Sequence, residues 1–164
     1  MIELIVLDVD GCLSDGSIFY TNDGEAAKAF NVRDGFGIVC WHKIGKKCAI
    51  ITGKSSKIVE YRAKDLGIKY VFQGVQDKLA ALEKLLKELG LELNHVAAIG
   101  DDINDYKQLK SVEWSFAPAD ALPFIRAHVN TVLKNNGGHG AVREMIETIV
   151  DKENLREEFE KPWL

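Results

Sequence analysis

The sequence predicts an α/β domain built on a largely parallel sheet. Short apolar runs alternate with longer amphipathic segments, the first run is rich in β-branched residues, and glycines close several amphipathic segments. Residues 2–9 are too short an apolar run for a helix and read as the first strand. Residues 17–20 and 26–30 flank Asn22-Asp23-Gly24, a hairpin turn signal. A helix is expected over 35–43, ending at Gly45, followed by a strand over 47–52 and a helix over 55–66 closed by Gly67. Residues 70–73 form a short strand. Leu79, Leu82, Leu85, Leu86 and Leu89 then mark one face of a helix that stops at Gly90.

Residues 95–100 read as another buried strand, running directly into Asp101-Asp102. Helical segments are expected over 105–110 and 121–127, with extended segments over 113–116 and 130–133. A glycine-rich loop, 135–140, leads into a helix over 141–152. No linker or repeat interrupts the pattern. The expected organisation is one domain, residues 1–152, and a charged tail, 153–164.

Composition narrows the function classes. A chain of 164 residues with 46% hydrophobic side chains can bury a substantial core. Its 21 basic and 25 acidic residues leave a net charge of −4, so no nucleic-acid partner is expected. No apolar run approaches a membrane span, and nothing resembles a signal peptide, so a cytoplasmic protein without a membrane partner is expected. Cys12, Cys40 and Cys48 are odd in number and form no C-x-x-C pair, which argues against a disulfide framework or structural zinc. None is followed six positions later by arginine, so the cysteine-nucleophile phosphatase loop is absent. All three read as small buried apolar groups.

In open α/β sheets, ligands collect outside the carboxyl ends of the strands. The first strand delivers Asp8 and Asp10 at i and i+2, on the same side, with Gly11 permitting a tight turn. Other strands end in Thr52-Gly53 and Gly100-Asp101-Asp102, with Asp105 one helical turn on, and Lys78 opens the leucine-rich helix. Packed carboxylates repel, so a hard divalent cation, Mg²⁺, is their natural partner. Thr52 and the Gly53 amide are suited to phosphate, and Lys78 to balancing its charge. Asp8 is then the candidate nucleophile and Asp10 the acid–base group. Asp102 and Asp105 divide between site and loop-bracing roles. Gly53-Lys54-Ser55 imitates the end of a nucleotide-binding P-loop, but Cys48 stands where a glycine is needed.

Asp8-Val9-Asp10-Gly11, Ile51-Thr52-Gly53, Lys78 and Gly100-Asp101-Asp102-Ile103-Asn104-Asp105 together resemble the four ordered motifs of haloacid dehalogenase-type phosphatases. The segments 30–38 and 137–144 are similar to the 3-deoxy-D-manno-octulosonate 8-phosphate phosphatase family, over roughly residues 2–151. The resemblance implies a doubly wound, mainly parallel sheet with a hairpin after the first strand. It implies Mg²⁺-dependent hydrolysis of a sugar-acid phosphate through an aspartyl-phosphate, in lipopolysaccharide precursor synthesis. Asp8 and Asp101 would bind the metal through carboxylates and Asp10 through its backbone carbonyl. Thr52, Gly53 and Lys78 would hold phosphate. Asn31, Val32, Arg33, Asp34, Gly35, Lys54 and Arg62 match substrate-contacting positions, Lys54 and Arg62 facing the substrate's carboxylate.

Family members typically carry arginine at the position of Lys54 and often at that of Val39. Lysine keeps the charge but loses the two-pronged grip on a carboxylate. Phosphatases for nine-carbon sugar acid 9-phosphates are the alternative of the same class. A receiver-like signalling module or a non-catalytic assembly module is the alternative outside it. Only 41 residues separate Asp10 from Thr52, and 48 separate Thr52 from Asp101, leaving no room for a cap domain. A homo-oligomer, a tetramer in the family resembled, is therefore expected to cover the site, with the hairpin in the interface.

Overall fold

The computed structural model describes all 164 residues. A six-stranded sheet in the order β5-β4-β1-β6-β7-β8 is parallel at every pairing. Its strands are β1 (Leu4–Leu7), β4 (Lys47–Ile51), β5 (Tyr70–Phe72), β6 (Val96–Ile99), β7 (Trp114–Ala117) and β8 (Thr131–Val132). A separate antiparallel hairpin pairs β2 (Phe19–Thr21) with β3 (Gly24–Ala27). The helices are α1 (Val32–Lys43), α2 (Lys57–Asp65), α3 (Lys78–Leu89), α4 (Tyr106–Ser111), α5 (Pro123–Arg126), α6 (Ala141–Lys152) and α7 (Arg156–Glu160). None is long and apolar enough to cross a membrane.

Alternation along β1 sorts its side chains to two cores. Ile5 and Leu7 join a cluster that includes residues of α1, α2, α6 and α7, whereas Leu4 and Val6 join one that includes residues of α3, α4 and α5. Both faces of the sheet are therefore covered, as a parallel sheet requires. The chain runs from β1 outward to β5, then returns to place β6 on the other side of β1. Connections thus leave β1 and β6 in opposite directions and open a crevice at their carboxyl ends.

Several elements depart from their expected bounds for local reasons. Helix α1 starts at Val32 rather than 35 because the Asn31 side chain accepts from the N–H groups of Arg33 and Asp34, at 2.8 and 3.3 Å. The helix expected over 121–127 contracts to α5, which opens on Pro123. The hairpin strands sit at 19–21 and 24–27, and Phe30 instead bridges to Ser14. Residues 153–164 are structured: α7 packs back, burying Leu155 and Phe159 in the larger core, and Trp163 meets Phe36 edge-on at 4.7 Å. The three cysteines are buried and unpaired, as expected.

Candidate active site

Asp8 follows the last residue of β1, and its N–H still donates to the Ile99 carbonyl at 3.2 Å. The chain then folds into a tight turn over Val9–Leu13, where Gly11 takes φ +94. The glycine-rich loop clasps this turn. A side chain on Gly137 would overlap the Gly11 carbonyl, and the Gly138 N–H donates to the Cys12 carbonyl at 2.9 Å. Backbone contact this close requires glycine, which gives the loop a reason for its composition.

Lys78, at the start of α3, is buried between two carboxylates. Its Nζ donates to Asp8 Oδ1 at 2.6 Å and to Asp105 Oδ1 at 2.5 Å. Asp105 uses its other oxygen to accept from the N–H groups of Asp101 and Asp102, at 3.0 and 3.2 Å. Asp105 therefore braces both the lysine and the loop after β6, and Asp102 caps the following turn by accepting from the Ile103 N–H at 2.6 Å. Thr52 is buried at the end of β4, its N–H donating to Phe72 and its carbonyl accepting from Val75. Ser56, not Thr52, caps α2, accepting from the Ile58 N–H at 3.2 Å. That leaves the Thr52 hydroxyl for another role.

Asp8, Asp10, Thr52, Gly53, Lys54, Asp101, Asp102 and Asn104 line one cleft of about 260 Å³. Asn104 received no role from the sequence, although it lies inside the fourth motif. A larger cavity of about 660 Å³ lies elsewhere, between the beginning of α1 and α6. It contains Asn31, Arg33, His139 and Arg143 but none of the motif carboxylates. Size alone would misplace the site; the convergence of charged groups locates it.

The electrostatics agree. Burial, then the neighbouring Asp105 carboxylate, pushes Asp8 up to about 7 against the pull of Lys78. Burial followed by Asp8, Asp105 and Asp102 pushes Asp101 up to about 8. Asp8, Cys12 and Asp101 each bring a ligand atom within 4.8 Å of the others. Burial and the surrounding carboxylates push the Cys12 thiol up, so it stays neutral. The charged donors are then oxygens alone, carrying negative charge that Lys78 only partly offsets. This set fits a hard divalent cation and not a thiolate-seeking one.

The other expected substrate positions divide. Lys54 stands at the cleft rim, its Nζ 2.8 Å from the Tyr20 hydroxyl and 3.2 Å from Glu25 Oε2. Asn31 caps α1, and the buried Asp34 accepts from the Gly140 and Arg143 N–H groups at the start of α6, at 3.2 and 2.8 Å. Gly35 lets α1 approach Arg62 and Leu66 closely. Arg62 donates to the Asn31 carbonyl at 3.1 Å and lies over the Phe30 ring. Val32 and Arg33 are exposed. Within one chain, only Lys54 of these candidates lines the cleft beside the motif residues.

Comparison with known proteins places this geometry. Residues 67–146 match the haloacid dehalogenase-like hydrolase family. The 3-deoxy-D-manno-octulosonate 8-phosphate phosphatase of Escherichia coli K12 is 45% identical over 149 residues, 91% of this chain and 79% of that protein. The crystal structure of the Moraxella catarrhalis phosphatase of that name, in complex with magnesium, phosphate and KDO, superimposes with a TM-score of 0.95. It shares 42% identity, over 99% of this chain and 94% of that one. The Yersinia pestis structure gives a TM-score of 0.91 and 44% identity, over 93% and 83%. The chain belongs to the 3-deoxy-D-manno-octulosonate 8-phosphate phosphatase family of haloacid dehalogenase-like hydrolases.

Proposed function

We propose that this chain hydrolyses 3-deoxy-D-manno-octulosonate 8-phosphate to the free sugar acid and inorganic phosphate. The observation that carries the reading is the convergence of three separated motifs on one cleft, with Lys78, the remaining one, bonded to Asp8 behind it, in a chain so similar to phosphatases of that name. Asp8 and Asp101, with the Asp10 carbonyl, would hold Mg²⁺, which when bound offsets the charge of carboxylates and phosphate. A carboxylate oxygen of Asp8 attacks phosphorus, and the bond from phosphorus to the sugar oxygen breaks. Asp10 gives that oxygen its proton. Asp10 then takes a proton from water, whose oxygen attacks phosphorus and releases Asp8. Thr52, the Gly53 amide and Lys78 hold the phosphoryl oxygens through both steps, while Asp105 keeps Lys78 in place.

With no cap domain, the sugar end needs another cover. The exposed Phe19 and Tyr20 of the hairpin, with Val32 and Tyr61 beyond it, support assembly of identical chains, a tetramer, over the cleft. The absence of a long apolar helix is consistent with work in the cytoplasm.

Specificity constants for the octulosonate 8-phosphate, N-acylneuraminate 9-phosphate, its deaminated analogue and p-nitrophenyl phosphate test the reading. The octulosonate ester should lead. A nine-carbon ester in first place would shift the substrate and keep the chemistry.

A further inference from the structure

The hairpin carries a lysine that no motif singles out. Lys28 lies just beyond β3, in a stretch of open backbone, yet its side chain is 0% exposed. Its Nζ donates to Asp10 Oδ1 at 2.6 Å and lies 3.6 Å from Glu25 Oε2. Glu25 accepts from the Ser56 hydroxyl with its other oxygen and pairs with Lys54. Lys28 is the only donor in the chain that reaches the Asp10 carboxylate.

Enclosing an ammonium group is costly unless it is paired, and an apolar side chain of similar length would fill the same space at less cost. Stability alone therefore does not account for a lysine here. Its placement does: Asp10 sits on a turn beside Gly11, and a carboxylate on a free χ2 can present either oxygen to the cleft. We propose that Lys28 is a positioning residue for the phosphatase reaction. By holding Oδ1 it leaves Oδ2 as the oxygen that hands the proton to the sugar oxygen and takes one from water. Glu25 holds Lys28 in turn and links it to Lys54 and the start of α2. The hairpin thus does more than extend the surface: it orients the acid–base group. This inference rests on the function proposed above.

A double-mutant cycle on the Mg²⁺-loaded enzyme tests it, with steady-state kinetics on the octulosonate 8-phosphate. Lys28→Met should lower kcat roughly 10- to 100-fold, the scale of a misplaced catalytic group, with KM little changed. Lys28→Arg should restore most of the loss. Adding Lys28→Met to Asp10→Asn should cost nothing further, because Lys28 acts only through Asp10. Additive losses, or a rise in KM without a fall in kcat, would overturn the inference while leaving the phosphatase reading intact. If Lys28→Met fails to fold, the same cycle with Glu25→Gln decides: a kcat loss that vanishes beside Asp10→Asn supports the inference, and an additive one overturns it. A wild-type enzyme that turns over no phosphate ester overturns both.

Discussion

The carboxyl edge of the sheet and the β2–β3 hairpin both reach the cleft, but different forces hold them. Asp8 and Asp101 extend from β1 and β6, strands whose side chains are buried on both faces, and Lys78 is locked between two aspartates. The hairpin is a sheet of its own, with Phe19 57% and Tyr20 65% exposed, tied down chiefly by Lys28, Glu25 and Lys54. A lone two-stranded hairpin is marginal in water, so its geometry depends on those ties and on what packs against it. The difference separates two jobs. On the proposed function, the groups for phosphoryl transfer are fixed by the core of each chain, whereas the contacts made by Lys28 to Asp10 and by Lys54 at the cleft rim depend on an element that needs support.

The sharpest way to break this division is at the core edge. Asp8→Asn should abolish turnover while the thermal unfolding midpoint stays near that of the wild type; measurable kcat would remove Asp8 from the nucleophile's role. Asp10→Asn should follow, slowing turnover roughly 10²- to 10⁴-fold, the usual scale of acid–base catalysis. A rate unchanged by that substitution would leave the proton's route unassigned.

Substitutions on the recognition side should act differently. Lys54→Ala should raise KM about tenfold for sugar-acid phosphates, the order expected for one charge-assisted hydrogen bond, and far less for p-nitrophenyl phosphate. Arg62→Ala, away from the cleft of its own chain, should show the same preference only if a neighbouring chain's site uses it. Equal effects on both substrates would assign these residues to the fold or to the phosphate site.

A smaller effect concerns pH. Folding lifts Asp8 and Asp101 above the ordinary 3.8, to about 7 and about 8, so between roughly pH 4 and 8 the metal-free folded protein holds more protons than the unfolded chain. Their contribution to stability therefore falls as pH rises through that window. Mg²⁺ should accordingly raise the unfolding midpoint more at pH 8 than at pH 5.5, and Asp101→Asn should flatten that difference. A Mg²⁺ effect independent of pH would contradict the assignment of these carboxylates. Least of all, Tyr20→Ser should barely move the midpoint of a monomer, since Tyr20 is exposed. It should still weaken assembly in sedimentation; an unchanged oligomer would take the hairpin out of the interface.

The sequence made the core edge legible because its rules are local. Residues at i and i+2 on a strand share a side, and carboxylates at strand ends need a cation, so Asp8, Asp10, Thr52 and Asp101 could be named before any coordinates. The succession of strands and helices along the chain and the regular face of α3 followed from hydrophobic periodicity, whereas the order of strands in the sheet came only from the structure. Lys28 and Asn104 escaped because their places beside Asp10 and in the cleft depend on tertiary contacts between segments far apart in the chain. Asp34 shows the converse. Its position in a substrate-like segment suggested ligand contact, while its carboxylate also meets the N–H groups at the start of α6, more than a hundred residues on. Likewise, the charged tail read at 153–164 carries Leu155 and Phe159, whose burial in the larger core seats α7.

In the proposed reaction Asp8 carries the phosphoryl group between substrate and water, and that transfer decides the mechanism. It is tested most directly by acid-quenching the Mg²⁺-loaded enzyme during turnover of the octulosonate 8-phosphate and mapping the adduct by peptide mass spectrometry. One phosphoryl group is expected on the peptide containing Asp8 in the wild type, more of it in a variant whose water-activating Asp10 is replaced by Asn, and none in Asp8→Asn. Steady turnover with the phosphoryl group on another residue, or with no adduct in wild type and Asp10→Asn alike, would contradict it.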